Sequence, residues 1–258
     1  MQYALVAGGS KGIGYAIALA LAKRNYNLVL VGRQVDSLTT AKTSLESLYK
    51  INVIIIEKDL SQSGSAEAIA ARCLQDQLPL SMLCNVAGLG GKGDYLSLPL
   101  DDLRNMILLN ISSSMALSLS LLNLLEENTP AHILNVASMA GFAPIPEKNI
   151  YAATKAAIIF FSYSLRYQLK QKNIGVSCLC PGPVFTKPEI IEDTIEKLGW
   201  FGKLLAVSPI RVGEAAISAT LKNKMIIVPG ILPKMISVLL RLLPRRVMTS
   251  IYFRMRQK

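Results

Sequence analysis

A tyrosine and a lysine stand four residues apart at the start of the apolar segment NIYAATKAAIIFFSYSLRYQL, residues 149–169. Residues four apart share one face of a helix, so Tyr151 and Lys155 would be neighbours. A phenol titrates near ~10, and a nearby ammonium stabilises the phenolate and lowers that pKa. The pair therefore predicts a proton donor. The structural alternative is a packed ring beside a lysine that reaches solvent.

Two polar residues in apolar surroundings favour the chemical interpretation. Ser138 ends a strand-like run, and its hydroxyl can polarise a carbonyl oxygen and hold it toward the tyrosine. Asn110 lies among leucines in MILLNISSSM, where a buried amide needs partners and is a candidate to hold a water that relays protons to Lys155. The predicted catalytic group is Asn110, Ser138, Tyr151 and Lys155.

A glycine-rich turn follows the first apolar run, YALVAG, and opens the first helical pattern. Glycines there let the backbone approach a pyrophosphate, and the helix points its free N–H groups at the anion. A tight turn without a ligand is the alternative, but the position between strand and helix favours phosphate binding. The predicted contacts are Gly8, Ser10, Lys11, Gly12, Ile13 and Gly14.

The end of the second strand-like run distinguishes between the two nicotinamide dinucleotides. In proteins that bind NAD, a carboxylate at this position accepts a hydrogen bond from the free ribose 2′-hydroxyl. This chain instead has Gly32-Arg33 and no acid before Asp36. Arg33 can pair with a 2′-phosphate, and Lys11 can add a second positive charge. Either cation alone is typical of a solvated surface, but together they predict NADP(H).

Further cofactor contacts are expected where other strands end, because open α/β sheets bind ligands at the carboxyl ends of their strands. Asp59 can accept from an adenine amino group, although a helix N-cap role for its carboxylate is equally open. The remaining predicted contacts are Leu60, Asn85, Ala87, Gly88, Tyr151, Lys155, Pro181, Gly182, Val184 and Thr186. No metal site is predicted, since no cysteines form a metal-type pair.

Short apolar runs alternate with longer helical patterns, which predicts an α/β fold with a doubly wound sheet of seven parallel strands. We expect one dinucleotide-binding and catalytic domain, residues 1–230, and a C-terminal helical extension, residues 231–258. The predicted strands are 3–8, 27–33, 52–60, 80–88, 131–138, 174–182 and 224–230, and the predicted helices are near 13–24, 37–49, 63–77, 101–127 and 149–169.

These motifs resemble the short-chain dehydrogenase/reductase family from residue 1 to about 230. TGxxxGIG appears at residues 7–14 and NNAG at 85–88, and the family's active-site residues match Asn110, Ser138, Tyr151 and Lys155. The resemblance implies a Rossmann fold, hydride transfer between nicotinamide C4 and a carbonyl carbon, Thr186 on the carboxamide, and a homodimer or homotetramer. Ala7 and Val86 replace the usual Thr and second Asn, so we expect some loss of rigidity there.

The C-terminal segment also departs from the family. Residues 231–258 hold seven cations and no acid, which accounts for +7 of the net charge of +11. Apolar residues recur at helical spacing from Leu232, and Pro244 predicts a break into two helices. Such a segment can lie on an anionic membrane, or its apolar stripe can pack on the body or a second subunit. Nucleic-acid binding is disfavoured, because the segment has few aromatics and a long apolar stripe.

Composition supports one large domain, with 258 residues of which 51% are apolar. Four scattered cysteines predict reduced core thiols, and we found no signal peptide or membrane-spanning run, so we expect a cytoplasmic chain, at most peripheral to the inner face of a membrane. His132 is expected to be structural, Cys178 and Cys180 to pack in the core, and residues 189–204, with Trp200 and Phe201, to form the substrate loop.

The predicted activity is that of an NADPH-dependent oxidoreductase for an apolar ketone or alcohol, steroid-like or long-chain acyl. A 3-oxoacyl thioester reductase that meets an acidic carrier is the enzymatic alternative. A non-catalytic NADP(H)-sensing or membrane-surface interaction protein is the alternative from another class, although a sensor has no need of all four catalytic groups.

Overall fold

A computed structural model describes residues 1–90, 96, 98–184 and 206–256. Its described strands form one parallel sheet in the order β3-β2-β1-β4-β5-β6-β7. This confirms the predicted doubly wound, seven-stranded sheet. The strands are β1 (Tyr3–Ala7), β2 (Asn27–Gly32), β3 (Val53–Glu57), β4 (Leu80–Asn85), β5 (Ala131–Val136), β6 (Ile174–Leu179) and β7 (Ile226–Ile227).

Helices cover both faces of the sheet. They are α1 (Gly12–Ala22), α2 (Val35–Leu48), α3 (Ser65–Gln75), α4 (Leu100–Ile107), α5 (Ser113–Ser120), α6 (Leu122–Glu127), α7 (Asn149–Leu169), α8 (Pro209–Leu221), α9 (Ile231–Leu242) and α10 (Arg245–Arg256). Within the described ranges, no helix has both the length and the hydropathy to cross a bilayer.

Two apolar cores result from the alternation of side chains along the strands. On one face, Leu5 and Val29 pack with residues of α3, α5 and α7. On the other face, Val6 and Leu30 pack with residues of α1, α2 and α8. Both faces are therefore covered, which explains why the strands are continuous apolar runs rather than alternating ones.

Two parts of the helical prediction were wrong. The segment 101–127 is not one helix, because a π-helical turn, Leu108–Ser112, separates α4 from α5, and the backbone breaks again at Leu121 between α5 and α6. Helix α8 was missed, although Ser208 caps it through its hydroxyl and Pro209 occupies its first turn, which is a recognisable start signal.

Helix α8 lies unusually close to α1. A β-carbon on Gly213 would lie 2.3 Å from the Ala16 carbonyl oxygen, so glycine is required at this crossing. This contact braces the helix that follows the glycine-rich turn.

The strand order reverses at β1. Strands β2 and β3 extend the sheet on one side of β1 and β4 extends it on the other, so β1 and β4 are neighbours although they are not consecutive in sequence. The carboxyl ends of two such strands diverge into separate loops and leave a crevice, which is where open α/β sheets bind ligands. The glycine-rich turn follows β1 and residues 86–90 follow β4, so both border this crevice.

Candidate active site

Close backbone contacts shape the glycine-rich turn after β1. Gly8 has φ +86°, and a β-carbon there would lie 2.9 Å from backbone atoms of Ala87. A β-carbon on Gly14 would lie 1.9 Å from the Gly8 carbonyl oxygen. Neither position can hold a side chain, and the turn brings the amino end of α1 to the crevice. This geometry fits a bound pyrophosphate.

The turn remains tied to β4 despite the two departures from the family pattern. The backbone N–H groups of Val86 and Ala87 both donate to the Ala7 carbonyl oxygen, at 3.0 and 2.8 Å. Ser10 lies in the turn itself, and Ile13 packs on the core beneath it. Backbone hydrogen bonds thus hold this corner where side-chain ties are missing.

The two predicted cations lie at the same corner of the crevice. Lys11 donates from Nζ to Gln34 Oε1 at 3.0 Å, and Gln34 directly follows Arg33. Both cations are exposed. The structure therefore places Lys11 one hydrogen bond away from the residue that follows Arg33, and it adds Gln34, which the sequence did not indicate.

Asp59 follows β3 near these cations. Its Oδ1 accepts from the Ser61 backbone N–H at 2.9 Å and from the Ser61 hydroxyl at 2.7 Å. Partial burial raises the pKa of Asp59, but these hydrogen bonds and the charge of Arg33 outweigh it and leave the pKa lowered. The N-cap interpretation was wrong, because Gly64 caps α3. The Leu60 side chain is buried, so only its backbone can face a ligand.

Asn85 lies at the end of β4, but its side chain points into the core. Its Nδ2 donates to Asn135 Oδ1 at 2.8 Å and to Ser118 Oγ at 3.0 Å. Asn135 in turn donates to Ser162 Oγ on α7. The amide therefore joins strands and helices rather than lining the crevice, and any cofactor contact by Asn85 would have to use its backbone.

Tyr151 and Lys155 occupy the first turns of α7, as their spacing predicted. The Lys155 ammonium lies 5.7 Å from the centroid of the Tyr151 ring. The Nζ atom is buried and donates to the Val136 carbonyl oxygen at 3.0 Å, at the carboxyl end of β5. The loop after β4 passes both groups. A β-carbon on Gly88 would lie 3.3 Å from Lys155 Nζ, and one on Gly90 would lie 3.9 Å from the Tyr151 ring.

Burial lowers the pKa of Lys155 from 10.5 to about 8, and the thiols of Cys178 and Cys180 act in the opposite direction. Both thiols are buried at the end of β6 and their sulfur atoms lie 3.8 Å apart, which agrees with the predicted packing role. Lys155 can therefore exist in both protonation states near neutral pH, as a group that takes part in proton transfer should.

Ser138 follows β5 and begins a 3-10 turn, Met139–Phe142. Its Oγ accepts from the Ala140 backbone N–H at 3.1 Å, which fixes the side chain and leaves its O–H free to donate elsewhere. The turn is held from a second side, because the Met139 N–H donates to the Pro181 carbonyl oxygen at 3.0 Å.

Asn110 clamps the loop after β4 onto α7. Its Oδ1 accepts from the Leu89 N–H at 2.7 Å, and its Nδ2 donates to the Leu89 carbonyl oxygen at 2.9 Å and to Thr154 Oγ1 at 3.1 Å. Both amide hydrogens are used, so a relay water would have to bind its backbone carbonyl or the remaining lone pair of Oδ1. Thr154 was missed in the sequence, although it adjoins Lys155.

The last predicted contacts follow β6. Gly182 lies between Pro181 and Pro183, and Val184 is buried against the core of α1 and α8. Thr186 and the predicted substrate loop, 189–204, lie outside the described residues. His132 lies at the opposite, amino end of β5, where burial lowers its pKa, so the structure separates it from the catalytic candidates.

Comparison with known proteins identifies related chains. The family model described as short chain dehydrogenase matches residues 2–192. The very-long-chain 3-oxoacyl-CoA reductase-A of Danio rerio is 32% identical over 201 residues, which is 76% of this chain and 62% of that protein. A probable oxidoreductase, EphD, of Mycobacterium tuberculosis is 29% identical over 85% of this chain and 39% of its own length. The chain thus spans less than two thirds of these relatives.

Among solved structures, L-sorbose reductase from Gluconobacter frateurii, complexed with NADPH and L-sorbose, superposes with a TM-score of 0.79. It is 25% identical, and the match covers 90% of this chain and 96% of that one.

The buried lysine makes stability depend on pH. Between pH 8 and its ordinary pKa of 10.5, the unfolded chain holds a proton on Lys155 that the folded chain has lost. The free energy of unfolding of the wild type, relative to Lys155→Met, should therefore rise by about 2 kcal/mol from pH 8 to pH 10. Urea unfolding across this range measures it.

The exposed Lys222 serves as the control, since Lys222→Met should follow the wild type at every pH. A constant difference between wild type and Lys155→Met from pH 7 to pH 10 would show that the ammonium is not desolvated.

Proposed function

Since the chain belongs to the short chain dehydrogenase family, we propose that it is an NADPH-dependent oxidoreductase that reduces a ketone or aldehyde to an alcohol. The observation that carries this proposal is the buried Lys155 ammonium beside the Tyr151 ring, at the carboxyl edge of the sheet. Burying an amine disfavours its charged form, as the lowered pKa of Lys155 indicates, and a lysine that only packs would keep its ammonium in solvent.

The chain's own residues would handle the proton and the carbonyl oxygen. The Ser138 hydroxyl donates a hydrogen bond to the carbonyl oxygen and orients it. Tyr151 gives its phenolic proton to that oxygen as the carbon–oxygen double bond becomes single, and the Lys155 ammonium stabilises the phenolate that remains. Asn110 is a positioning residue, because it fixes the loop against α7. Bound NADPH supplies the hydride that the carbonyl carbon receives.

The preference for NADPH over NADH is proposed from the corner formed by Lys11, Gln34 and Arg33. Lys11 and Arg33 are both exposed there, with Lys11 hydrogen-bonded to Gln34, and the end of β2 has no carboxylate that would pair with a free 2′-hydroxyl. The close backbone contacts at Gly8 and Gly14 shape the tight turn at the amino end of α1, which is the position where a pyrophosphate would bind. The L-sorbose reductase structure contains NADPH, which is consistent with this proposal.

We propose an apolar carbonyl substrate, steroid-like or long-chain acyl. A 3-oxoacyl thioester is the specific alternative, because the Danio rerio relative is named as a very-long-chain 3-oxoacyl-CoA reductase. Both candidates carry a long apolar part, so both need an apolar surface near the crevice.

Assembly and location are proposed on separate grounds. Three exposed aromatic side chains on the outer face of α7, Phe160, Tyr163 and Tyr167, favour a homodimer or homotetramer through this helix.

Four cysteines are buried and unpaired, which favours a reducing compartment such as the cytoplasm. Peripheral contact with a membrane is proposed for the segment 231–258.

Removing the proton donor should stop the reaction. Tyr151→Phe keeps the ring but lacks the hydroxyl, so turnover should fall by roughly a hundredfold or more. NADPH affinity should stay close to that of the wild type. Steady-state assays and fluorescence titration measure the two quantities. Tyr163→Phe, on the exposed face of the same helix, is the matched control. Normal turnover by Tyr151→Phe would refute the assignment.

The cofactor preference should depend on Arg33. Arg33→Ala removes a charged partner of the 2′-phosphate, so the ratio of NADH to NADPH dissociation constants should fall by roughly tenfold or more. Lys222→Ala removes an exposed cation after α8 and should leave the ratio unchanged. Equal affinities for both dinucleotides in the wild type would contradict the proposal.

The substrate alternatives can be separated by a panel of carbonyl compounds assayed with NADPH. An apolar ketone reductase should turn over a steroid ketone as a free molecule. A thioester reductase should turn over 3-oxoacyl thioesters and leave free ketones unreduced. Absorbance of NADPH follows both reactions, and loss of both in Tyr151→Phe confirms that one site is responsible.

A further inference from the structure

Helix α9 is apolar on two faces. Its inner face packs on the body, where Pro233 and Ser237 are buried and Leu232, Ile236 and Leu240 are partly buried. Part of the predicted apolar stripe therefore packs on the domain, as one of the alternatives left open by the sequence expected. The inner face does not use all the apolar residues of the helix.

A second row of apolar side chains on α9 faces outward. Its members follow one another at i, i+4, i+7, i+8 and i+11, which places them on one side of a helix. Their exposed fractions lie between 45% and 84%. The outer stripe consists of Ile231, Met235, Val238, Leu239 and Leu242. Five large apolar residues exposed in one row are typical of a surface that binds a membrane or another protein.

Cations accompany this stripe. Lys234 is exposed beside it, and Arg245 and Arg246 are exposed at the start of α10. The whole segment 231–258 has seven cations and no acid. An apolar row bordered by lysine and arginine matches a lipid bilayer with anionic headgroups, where the row enters the acyl boundary and the cations meet phosphates.

A second copy of the chain fits this surface less well. Symmetric dimers usually bring the same patch of both subunits together, so the cations of the two segments would face each other. The segment supplies no acid to compensate them. Like charges across an interface disfavour association, whereas an anionic bilayer attracts them.

The stripe borders the side of the molecule that carries the catalytic candidates. Helix α9 starts just beyond the carboxyl end of β7 and contacts the turn Met139–Phe142 that follows Ser138. The guanidinium of Arg241 lies 5.3 Å from the Phe142 ring centroid. Ile231, the first member of the stripe, also lines a cleft of about 630 Å³ together with Val207 and Arg211.

We propose that the outer stripe of α9 docks the chain on the surface of an anionic bilayer and holds this cleft toward the lipid, so that the apolar substrate enters from the membrane. The second part rests on the proposed function, since it presumes an apolar carbonyl substrate. The first part rests only on the exposed stripe and its cations.

Flotation with vesicles tests the docking surface. The wild type should float with vesicles of phosphatidylcholine and phosphatidylserine, and less with phosphatidylcholine alone, and added salt should weaken binding. The double variant Met235→Gln, Leu239→Gln should bind weaker by roughly tenfold or more. The control variant Leu48→Gln, Leu74→Gln alters two leucines of similar exposure, 62% and 61%, on α2 and α3, and should bind like the wild type.

Two results would overturn docking. One is absence of flotation of the wild type with the anionic vesicles at low salt. The other is a dimer, measured by light scattering, that the stripe variant converts to monomers while vesicle binding stays unchanged, because the stripe would then be a subunit interface.

Turnover separates the docking proposal from the proposed reaction. With a water-miscible ketone and NADPH, wild type and stripe variant should have equal rates. With an apolar ketone dissolved in the vesicles, the variant should have a higher KM. Flotation without any turnover would refute the reaction but not the docking surface, whereas turnover of both ketones with equal KM values would refute substrate entry from the membrane.

Discussion

Burying an amine costs free energy that hydrogen-bond acceptors offset only in part, and the buried Lys155 is the residue around which the crevice is packed. Its ammonium donates to the Val136 carbonyl oxygen, which fixes α7 to the carboxyl end of β5. The turn after Ser138 lies directly on α7, because a β-carbon on Gly141 would be 2.8 Å from the Lys155 carbonyl carbon. The positions of Ser138 and Tyr151 follow from the same packing.

The crevice itself depends on backbone proximity more than on side-chain contacts. Gly8 touches the backbone of Ala87, and Ala7 accepts two hydrogen bonds from the loop after β4. The clamp formed by Asn110 holds the next residues of that loop at Leu89. The described part of this loop is thus held on both sides of Gly88, which keeps Gly88 beside Lys155.

Much of the fold could be predicted because buried parallel strands are continuous apolar runs, and because the catalytic candidates have fixed spacing on one helix or stand at strand ends. Side-chain direction was harder to predict. Asn85 stands at a strand end, yet its amide joins a buried network with Asn135, and only the three-dimensional structure supplies that partner. Likewise the inner and outer faces of α9 are both apolar, so hydropathy could not tell which residues the domain covers.

The π-helical turn between α4 and α5 makes the length of this segment as important as its composition. An ordinary helix advances about 100° per residue, so one residue fewer would rotate everything after the turn by that angle. Met106 before the turn and Leu117 after it are both buried, and Asn110 lies between them facing α7. A change in the number of residues here would therefore turn Asn110 or its neighbours away from α7 and uncouple the loop after β4 from the helix of Tyr151.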